Sequence, residues 1–218
     1  MTEAARRLLL LRHGRTAWNA ELRWQGHADV ALDALGVRQA ARAAEAMAAL
    51  APVALWSSDL ARARQTADAV AARTGLAVRT DARLREFDVG DRTGLTIEEY
   101  AVAYPAEHER LRASGFSGFP NDEPVDRVAA RMRAALTEAV GSLAPGETGV
   151  VVVHGGSGKL GVLELLGWPA QLYGTIRGLD NCAWAELEGA GPAGRLRLVR
   201  WNVSVPESPD FASPEGVG

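Results

Sequence analysis

The chain has 218 residues, 47% of them hydrophobic and 23% charged, and a formal net charge of −3. This length suits one α/β domain and is short for two, and the acidic balance argues against nucleic acid as a partner. The single cysteine, Cys182, cannot form an internal disulfide, and the four leucines near the N-terminus are too few for a signal peptide or a membrane span, so we expect a cytoplasmic protein with no membrane partner.

Strand-like and helix-like segments alternate through the first half of the chain. In order they are a strand at about 7–11, a helix over 37–48, a strand at 53–56, a helix over 60–71 and a strand at 76–79. Asp33 is placed to cap the first helix and Gly75 to end the second. Ser57, Ser58 and Asp59 offer capping oxygens before the second helix.

The second half begins with an aperiodic stretch, 84–90, and then returns to the same alternation. A capping box at Thr96–Glu99 predicts a short helix that stops before Pro105, and 114–124 is loop-like. The remaining predicted elements are a helix over 128–143, a strand at 150–153, a helix over 157–166 and strands at 182–187 and 195–201. This pattern predicts an α/β fold in one domain, 1–205, with a frayed tail, 206–218, and a mostly parallel sheet of about six strands covered by helices on both faces.

Two histidines stand directly after apolar strands. Arg12 and His13 follow four leucines, and His154 follows four valines. Open parallel sheets bind ligands at the carboxyl ends of their strands. If these two strands are neighbours, both imidazoles and one guanidinium face the same crevice.

Two further residues fit chemistry on a phosphate at that crevice. Arg62 falls in the first turn of a predicted helix, where free backbone N–H groups already favour an anion, whereas Arg64 points to another face and is expected to be solvated. Glu86 follows the third strand, although it could equally pair with Arg83 or Arg85 at the surface. Guanidinium groups stabilise a phosphoryl group, a neutral imidazole can hold it covalently, and a carboxyl group can protonate the leaving oxygen.

The residues that carry this pattern resemble those of the histidine phosphatase superfamily, the phosphoglycerate mutase-like proteins. The similar blocks are 11–19, 25–26, 58–67, 84–86, 90 with 94–96, and 154–156. The resemblance implies a three-layer α/β/α sandwich, a phosphohistidine intermediate on His13 and proton donation by Glu86. It also implies a phosphoryl site and pocket formed by Arg12, Arg62, His154, Asn19, Gln25, Gly26 and Gly155. It implies a small phosphorylated substrate, a homodimer, and neither cofactor nor metal.

Departures from the family pattern leave several roles open. Arg15 stands where the family usually has glutamate or glutamine, and it either reaches a second acidic group on the substrate or faces solvent. Asp122, Glu123 and Pro124 replace a stretch that often reads Gly-Glu-Ser, which leaves Glu123 either at the edge of the site or outside it. The residues after Glu86 and the compact middle of the chain resemble the phosphatase branch, with phosphoglycerate mutase-type transfer as the alternative. Segments 181–184 and 201–204 are also similar to a phosphatase of this branch, which points to a small phosphomonoester with a sugar or acid group.

Two hypotheses from other classes compete with this interpretation. Gly156, Gly158 and Gly161 form a G-x-G-x-x-G pattern typical of dinucleotide-binding oxidoreductases, but the pattern comes late in the chain and its acidic partner, Asp180, precedes a predicted strand. We therefore expect these glycines to allow close helix packing. The other hypothesis is a catalytically inert protein that binds a phosphorylated ligand. His27 and His108 lack metal-ligand spacing and are predicted to be surface groups.

Overall fold

A computed structural model of the chain describes residues 4–114, 121–189 and 195–206. Its strands and α-helices are, in chain order, β1 (Arg6–Arg12), α1 (Ala17–Ala20), α2 (Ala34–Ala49), β2 (Ala54–Ser57), α3 (Ala61–Thr74), β3 (Val78–Thr80), α4 (Ile97–Ala103), α5 (Pro105–Ser114), α6 (Val125–Gly141), β4 (Thr148–Val153), α7 (Gly155–Leu166), β5 (Trp184–Gly189) and β6 (Arg197–Val203). Short 3-10 helices lie at Ala82–Leu84, Gly90–Arg92 and Ala170–Thr175. The predicted tail, 206–218, lies outside the described residues apart from Pro206.

The six strands form one mixed sheet in the order β3-β2-β4-β1-β5-β6. The pairs β3–β2, β2–β4 and β4–β1 are parallel, whereas β5 runs antiparallel to β1 and β6 antiparallel to β5. The prediction of a mostly parallel α/β sheet is therefore confirmed, with both closing strands as its antiparallel edge.

Helices cover the sheet on both faces, which makes three layers. Leu9, Leu11, Val150 and Val152 pack on one face with the apolar stripes of α2 and α3. The alternate residues of the same two strands face the other way. They pack with the stripes of α6 and α7, and the group comprises Leu8, Leu10, Val151 and Val153. Strands buried on both faces need continuous apolar runs, and this explains the four leucines of β1 and the four valines of β4.

The helices follow the predicted pattern with two additions, α1 and α5. Asp33 caps α2 by accepting a hydrogen bond from the Gly36 N–H, and Gly75 ends α3 with φ of 74°. A helix that sequence reasoning missed, α5, begins at Pro105, which had been expected only to stop α4. Proline is well tolerated at the first helical position because its missing N–H would have no helical partner there. Within the described ranges, no helix is both long and apolar enough to cross a bilayer.

Candidate active site

The two strand-end histidines lie side by side. Arg12 on β1 pairs in register with Val153 on β4, so the next residue of each strand, His13 and His154, leaves the sheet at the same edge. The centroids of the two imidazole rings are 5.2 Å apart. Both side chains are almost completely buried. The expectation that the two strands are neighbours is confirmed.

His13 is held as a neutral imidazole with one nitrogen available. Its Nδ1 lies 2.7 Å from the carbonyl oxygen of Gly14, and because a carbonyl only accepts, Nδ1 carries the hydrogen and Nε2 keeps its lone pair. Burial, followed by the nearby charges of Arg12 and Arg62, holds the pKa of His13 well below its usual range. A neutral imidazole with a free nitrogen is the form that acts as a nucleophile.

Gly14 is required at the turn after His13 because the chain passes close to the start of α2. A Cβ at Gly14 would lie 2.5 Å from the carbonyl oxygen of Gly36. The Gly14 N–H donates to Thr66 Oγ1 on α3 at 3.1 Å. The loop that leaves β1 is thus fixed against both helices of one layer.

His154 is held from the other side by Ser58. Its Nε2 lies 2.9 Å from Ser58 Oγ, which also accepts a hydrogen bond from the Leu60 N–H at 3.3 Å. We therefore assign the hydroxyl hydrogen to His154 Nε2, which puts the ring hydrogen on Nδ1. Nδ1 is buried and meets no hydrogen-bond partner in the part of the chain that the structure describes. Burial, with the charge of Arg62 next, holds the pKa of His154 well below its usual range.

Two guanidinium groups, a buried one from Arg62 and a partly buried one from Arg12, complete the positive side of the site. Arg12 donates from Nη1 to the Leu179 carbonyl at 2.6 Å. Arg62, in the first turn of α3, donates from Nη1 to Ala28 O and from Nη2 to Gly26 O, both at 2.8 Å. Burial lowers the pKa of both groups, that of Arg62 to about 10. Guanidinium groups keep their proton in proteins, so both are cations at neutral pH.

Three buried N–H groups of this cluster lack acceptors among the described residues. They are Nε of Arg12, Nε of Arg62 and Nδ1 of His154. A buried donor without a partner is costly, and such groups usually have a ligand, a water molecule or an ion to satisfy them. The residues that carry them fit an oxyanion with several acceptor oxygens.

The Glu86 carboxylate sits at the start of α7, beside His154. Its two oxygens accept from the N–H groups of Gly156 and Ser157 at 2.9 and 2.7 Å. Arg83 and Arg85 have other partners, Asp81 with Glu138 and Asp59 respectively, so the competing prediction of a surface ion pair at Glu86 is wrong. A Cβ at Gly156 would lie 2.9 Å from Glu86 Oε1, which explains a glycine at that position.

The residues predicted to line the pocket surround this cluster. The Gly26 carbonyl accepts a hydrogen bond from Arg62. Gly155 lies against the Arg12 guanidinium, since a Cβ at Gly155 would be 3.4 Å from Arg12 Cζ. Gln25 is buried, with its Oε1 unpaired among the described residues. Asn19 sits in a capping box with Thr16 at the start of α1, so its Oδ1 is occupied.

Arg15 is held by an ion pair. Its Nε donates to Asp33 Oδ2 at 2.7 Å, and 37% of its side chain remains exposed. Sequence reasoning offered either a substrate contact or a solvent-facing role, and this pairing with the cap of α2 was not foreseen.

Comparison with known proteins agrees with this geometry. The profile of the family described as Histidine phosphatase superfamily (branch 1) matches residues 8–204. The chain belongs to the histidine phosphatase superfamily. A glucosyl-3-phosphoglycerate phosphatase of Mycobacterium tuberculosis is 38% identical over 224 residues, covering 94% of this chain and 98% of that protein. A probable phosphoglycerate mutase of Klebsiella pneumoniae is 35% identical over 184 residues, covering 82% and 83%.

Solved structures of the superfamily share the fold as well as the sequence pattern. A mycobacterial glucosyl-3-phosphoglycerate phosphatase in complex with VO3 gives a TM-score of 0.83 at 38% identity, covering 91% of this chain and all, 100%, of that one. The same enzyme with inorganic phosphate gives a TM-score of 0.79 at 36% identity, with 91% and 98% covered. The predicted family, its fold and the assignment as an enzyme of the phosphatase class are confirmed.

Several residues that hold this histidine phosphatase site were not predicted in those roles. Ser58 was expected to cap α3, but it bonds His154, and Asp29 takes the Ala61 N–H instead at 2.6 Å. Asn181 donates to the His13 carbonyl at 3.0 Å. His27, predicted as a surface group, is half-buried and its Nε2 lies 2.9 Å from the Glu86 carbonyl. These contacts join distant parts of the chain, and local periodicity contains no signal for them.

The glycine-rich pattern at the start of α7 serves packing, as expected. A Cβ at Gly158 would lie 2.8 Å from Val153 Cγ2, and one at Gly161 would lie 2.7 Å from Leu136 Cδ1 on α6.

Cys182 is buried, and burial raises the pKa of its thiol to about 12. The described residues contain no cluster of three or more histidine, cysteine or acidic side chains that could hold a metal ion.

Proposed function

We propose that this protein hydrolyses a small phosphomonoester through a phosphohistidine intermediate on His13. The observation that carries the proposal is the neutral His13 imidazole beside three buried N–H donors, from Arg12, Arg62 and His154, that have no acceptor among the described residues. A nucleophile next to N–H donors that can bind oxygen atoms suits the transfer of a phosphoryl group, whose charge is spread over its oxygens.

In the first step, His13 Nε2 attacks phosphorus and the bond from phosphorus to the ester oxygen breaks. Glu86 gives its proton to the departing oxygen. Arg12, Arg62 and the His154 N–H stabilise the charge on the phosphoryl oxygens throughout the transfer.

In the second step, water attacks the phosphohistidine. The Glu86 carboxylate takes the proton from the water, the bond between phosphorus and nitrogen breaks, and inorganic phosphate leaves. His13 returns to its neutral form and Glu86 to its protonated form, so protons and electrons balance over the cycle.

The proposed pocket residues have roles that their contacts support. Asn19 uses Oδ1 for the capping box, so we assign its Nδ2 to a phosphate oxygen. The unpaired Oε1 of Gln25 suits a donor on the substrate, such as a hydroxyl. Gly26 and Gly155 keep the two guanidinium groups within reach of the phosphoryl group.

The substrate that fits best carries a sugar or an acid group besides its phosphate. One relative named above, 38% identical over almost the whole chain, is a glucosyl-3-phosphoglycerate phosphatase, and so is the enzyme in the two solved structures. The Arg15 fork, held through Nε by Asp33, is assigned to a second acidic group on such a substrate. We place the enzyme in the cytoplasm, where small phosphorylated metabolites are found and where a single buried cysteine is unremarkable.

Trapping the intermediate tests the proposal directly. After brief mixing with p-nitrophenyl phosphate and an alkaline quench, wild-type protein should carry an acid-labile phosphoryl group that peptide mass spectrometry locates on His13. His13→Ala should lose both the adduct and at least about 10³-fold of the turnover, while its far-UV circular dichroism matches wild type. Substrate binding with neither adduct nor phosphate release would favour the inert binding protein instead.

The same assay separates a phosphatase from a mutase. An excess of a second phosphorylated hydroxy acid is added, and free phosphate is compared with phosphoryl groups found on the added compound. The proposal expects release of free phosphate to equal consumption of substrate. Predominant transfer to the added acid would mean mutase-type chemistry.

A further inference from the structure

Arg131 on α6 uses its whole guanidinium group in hydrogen bonds. Nε and Nη2 donate to the two carboxylate oxygens of Glu123 at 2.9 and 2.8 Å. Nη1 donates to the carbonyls of Arg83 and Arg85 at 2.8 and 2.6 Å, and Nη2 also donates to the Glu86 carbonyl at 2.8 Å. These five contacts match the five N–H donors of arginine.

All three carbonyls belong to the segment that carries the proposed acid. Glu86 itself lies between two 3-10 helices, outside every strand and α-helix, so no regular ladder of backbone bonds fixes its position. The Arg131 fork replaces that ladder with side-chain bonds from a rigid helix. His27 adds a fourth contact to this segment, also at the Glu86 carbonyl.

Glu123 holds the Arg131 fork in its orientation. Both side chains are largely buried, with 15% and 11% exposed. The Glu123 N–H donates to the Asp88 carbonyl at 2.9 Å, which ties the segment before α6 to the segment after Glu86. A buried, bidentate pair of this kind fixes geometry more firmly than an exposed pair.

We propose that Arg131, oriented by Glu123, is a positioning residue that sets where the Glu86 carboxyl group stands for proton transfer. The inference rests on the proposed function, because it needs Glu86 to act as the acid. Lysine cannot replace Arg131, since one ammonium group has three donors and cannot span three carbonyls and a carboxylate. With the fork lost, the Glu86 backbone gains freedom and the carboxyl group no longer returns reliably to the N–H groups of Gly156 and Ser157.

Leaving-group dependence separates a positioning role from a general structural role. An alkoxide must be protonated as it leaves, whereas p-nitrophenolate leaves readily without a proton. A displaced acid therefore slows phosphorylation of His13 by an alkyl phosphate and leaves phosphorylation by p-nitrophenyl phosphate nearly unchanged. A loosened fold slows both.

The experiment measures single-turnover formation of phosphohistidine with glycerol 2-phosphate and with p-nitrophenyl phosphate. The variants are Arg131→Lys, Glu123→Gln and Glu86→Gln, with Arg133→Lys, an exposed arginine on the same helix, as the matched control. We expect Arg131→Lys to lose about 10- to 100-fold with the alkyl substrate and less than about threefold with the aryl substrate, in the pattern of Glu86→Gln. Glu123→Gln should show the same selectivity at smaller size, which keeps the test available if Arg131→Lys does not fold.

Equal losses on both substrates, or no loss in folded Arg131→Lys and Glu123→Gln, would overturn the positioning role. If Glu86→Gln shows no selectivity while His13 is still phosphorylated, the acid assignment fails and the positioning role fails with it. If wild-type protein forms no phosphohistidine, the proposed function fails first. The wild-type and Glu86→Gln measurements thus distinguish failure of the proposed function from failure at Arg131 alone.

Discussion

The histidine half of the site and the glutamate half reach their positions by different means. His13 and His154 follow two paired central strands, and the backbone bonds of the sheet fix where each chain emerges. Glu86 lies on an irregular segment and depends on Arg131, His27 and the N–H groups of α7. The nucleophile is therefore placed by the backbone bonds of the central sheet, which makes its half the rigid half, and the acid by a few side-chain and N–H contacts from distant elements.

The largest expected effect comes from disturbing the rigid half. Arg62→Lys removes a fork that spans Gly26 O and Ala28 O and presents Nε to the proposed phosphoryl site. We expect a loss of about 10²- to 10³-fold in kcat/KM for p-nitrophenyl phosphate, since preorganised donors to a developing charge contribute this much. Chemical denaturation should show a loss of about 1–3 kcal/mol, because one carbonyl is left buried without a donor.

The matched control stands two residues along the same helix. Arg64 is exposed and pairs only with Asp68, one turn away, among the described residues. Arg64→Lys should leave kcat/KM within about twofold and the free energy of unfolding within about 0.5 kcal/mol of wild type. Similar losses in the two variants would contradict the assignment of Arg62 to the site.

Gly156 lies where the histidine half and the glutamate half of the site meet. A methyl group at this position tests whether the Glu86 carboxylate can be displaced without disturbing the histidines. In Gly156→Ala the new Cβ would meet Glu86 Oε1 at 2.9 Å and Phe87 Cδ2 at 3.2 Å. The carboxylate is the far end of a flexible side chain. We therefore expect the carboxylate to move away from the new methyl group while helix α7 stays in place. Turnover of an alkyl phosphate should fall about 10²-fold, the cost of misplacing a reacting group by about 1 Å.

Gly141→Ala provides the control for the helix propensity of alanine. A Cβ at Gly141 would meet nothing within 4 Å, and the position lies in the last turn of α6. This variant should keep full activity and gain up to about 1 kcal/mol of stability. If Gly156→Ala unfolds the protein instead of displacing the acid, the two halves are packed more tightly together than their contacts indicate.

Sequence reasoning succeeded for the strand-end half and largely failed for the supports of the acid half. Runs of four leucines and four valines are long enough to predict buried strands, and placing His13 and His154 follows from sheet topology. Glu86 was a candidate because it follows the third strand, but 84–90 has no period, and its role as proton donor came only from the family resemblance. The only local signal for Arg131 is a charged residue near the apolar stripe of α6, between Val128 and Met132, and such a signal does not say which carbonyls the side chain reaches.

The burial that places the histidines also makes folding sensitive to acid. Burial and the nearby arginines hold the folded-state pKa values of His13 and His154 well below the ordinary value of 6.5. In the unfolded chain each imidazole returns to that ordinary pKa. The unfolded chain therefore binds more protons than the folded chain below that value. The contribution to stability is fully present above about pH 6.5 and declines as the pH falls toward the folded-state values, by up to about 1.4 kcal/mol per pH unit for each histidine.

Urea denaturation between pH 7 and pH 5 measures this slope. His154→Gln removes one of the two groups, so its stability should decline less steeply over the same interval than that of wild type. An identical slope in the two proteins would show that His154 is already accessible to protons in the folded state, against its burial.

The smallest expected effect concerns Arg15, which lies two residues beyond His13 and so belongs to the rigid half, yet is partly exposed. Its ion pair with Asp33 contributes less than about 1 kcal/mol, so Arg15→Ala should fold normally. If the Arg15 fork binds a second acidic group, KM should rise about three- to tenfold for a phosphorylated hydroxy acid and stay constant for p-nitrophenyl phosphate.

Asp33→Asn is the matched control, because asparagine can still cap α2 and Arg15 remains free to bind an acid. Equal KM values for Arg15→Ala and wild type on both substrates would assign Arg15 to solvent and leave substrate discrimination to the pocket residues.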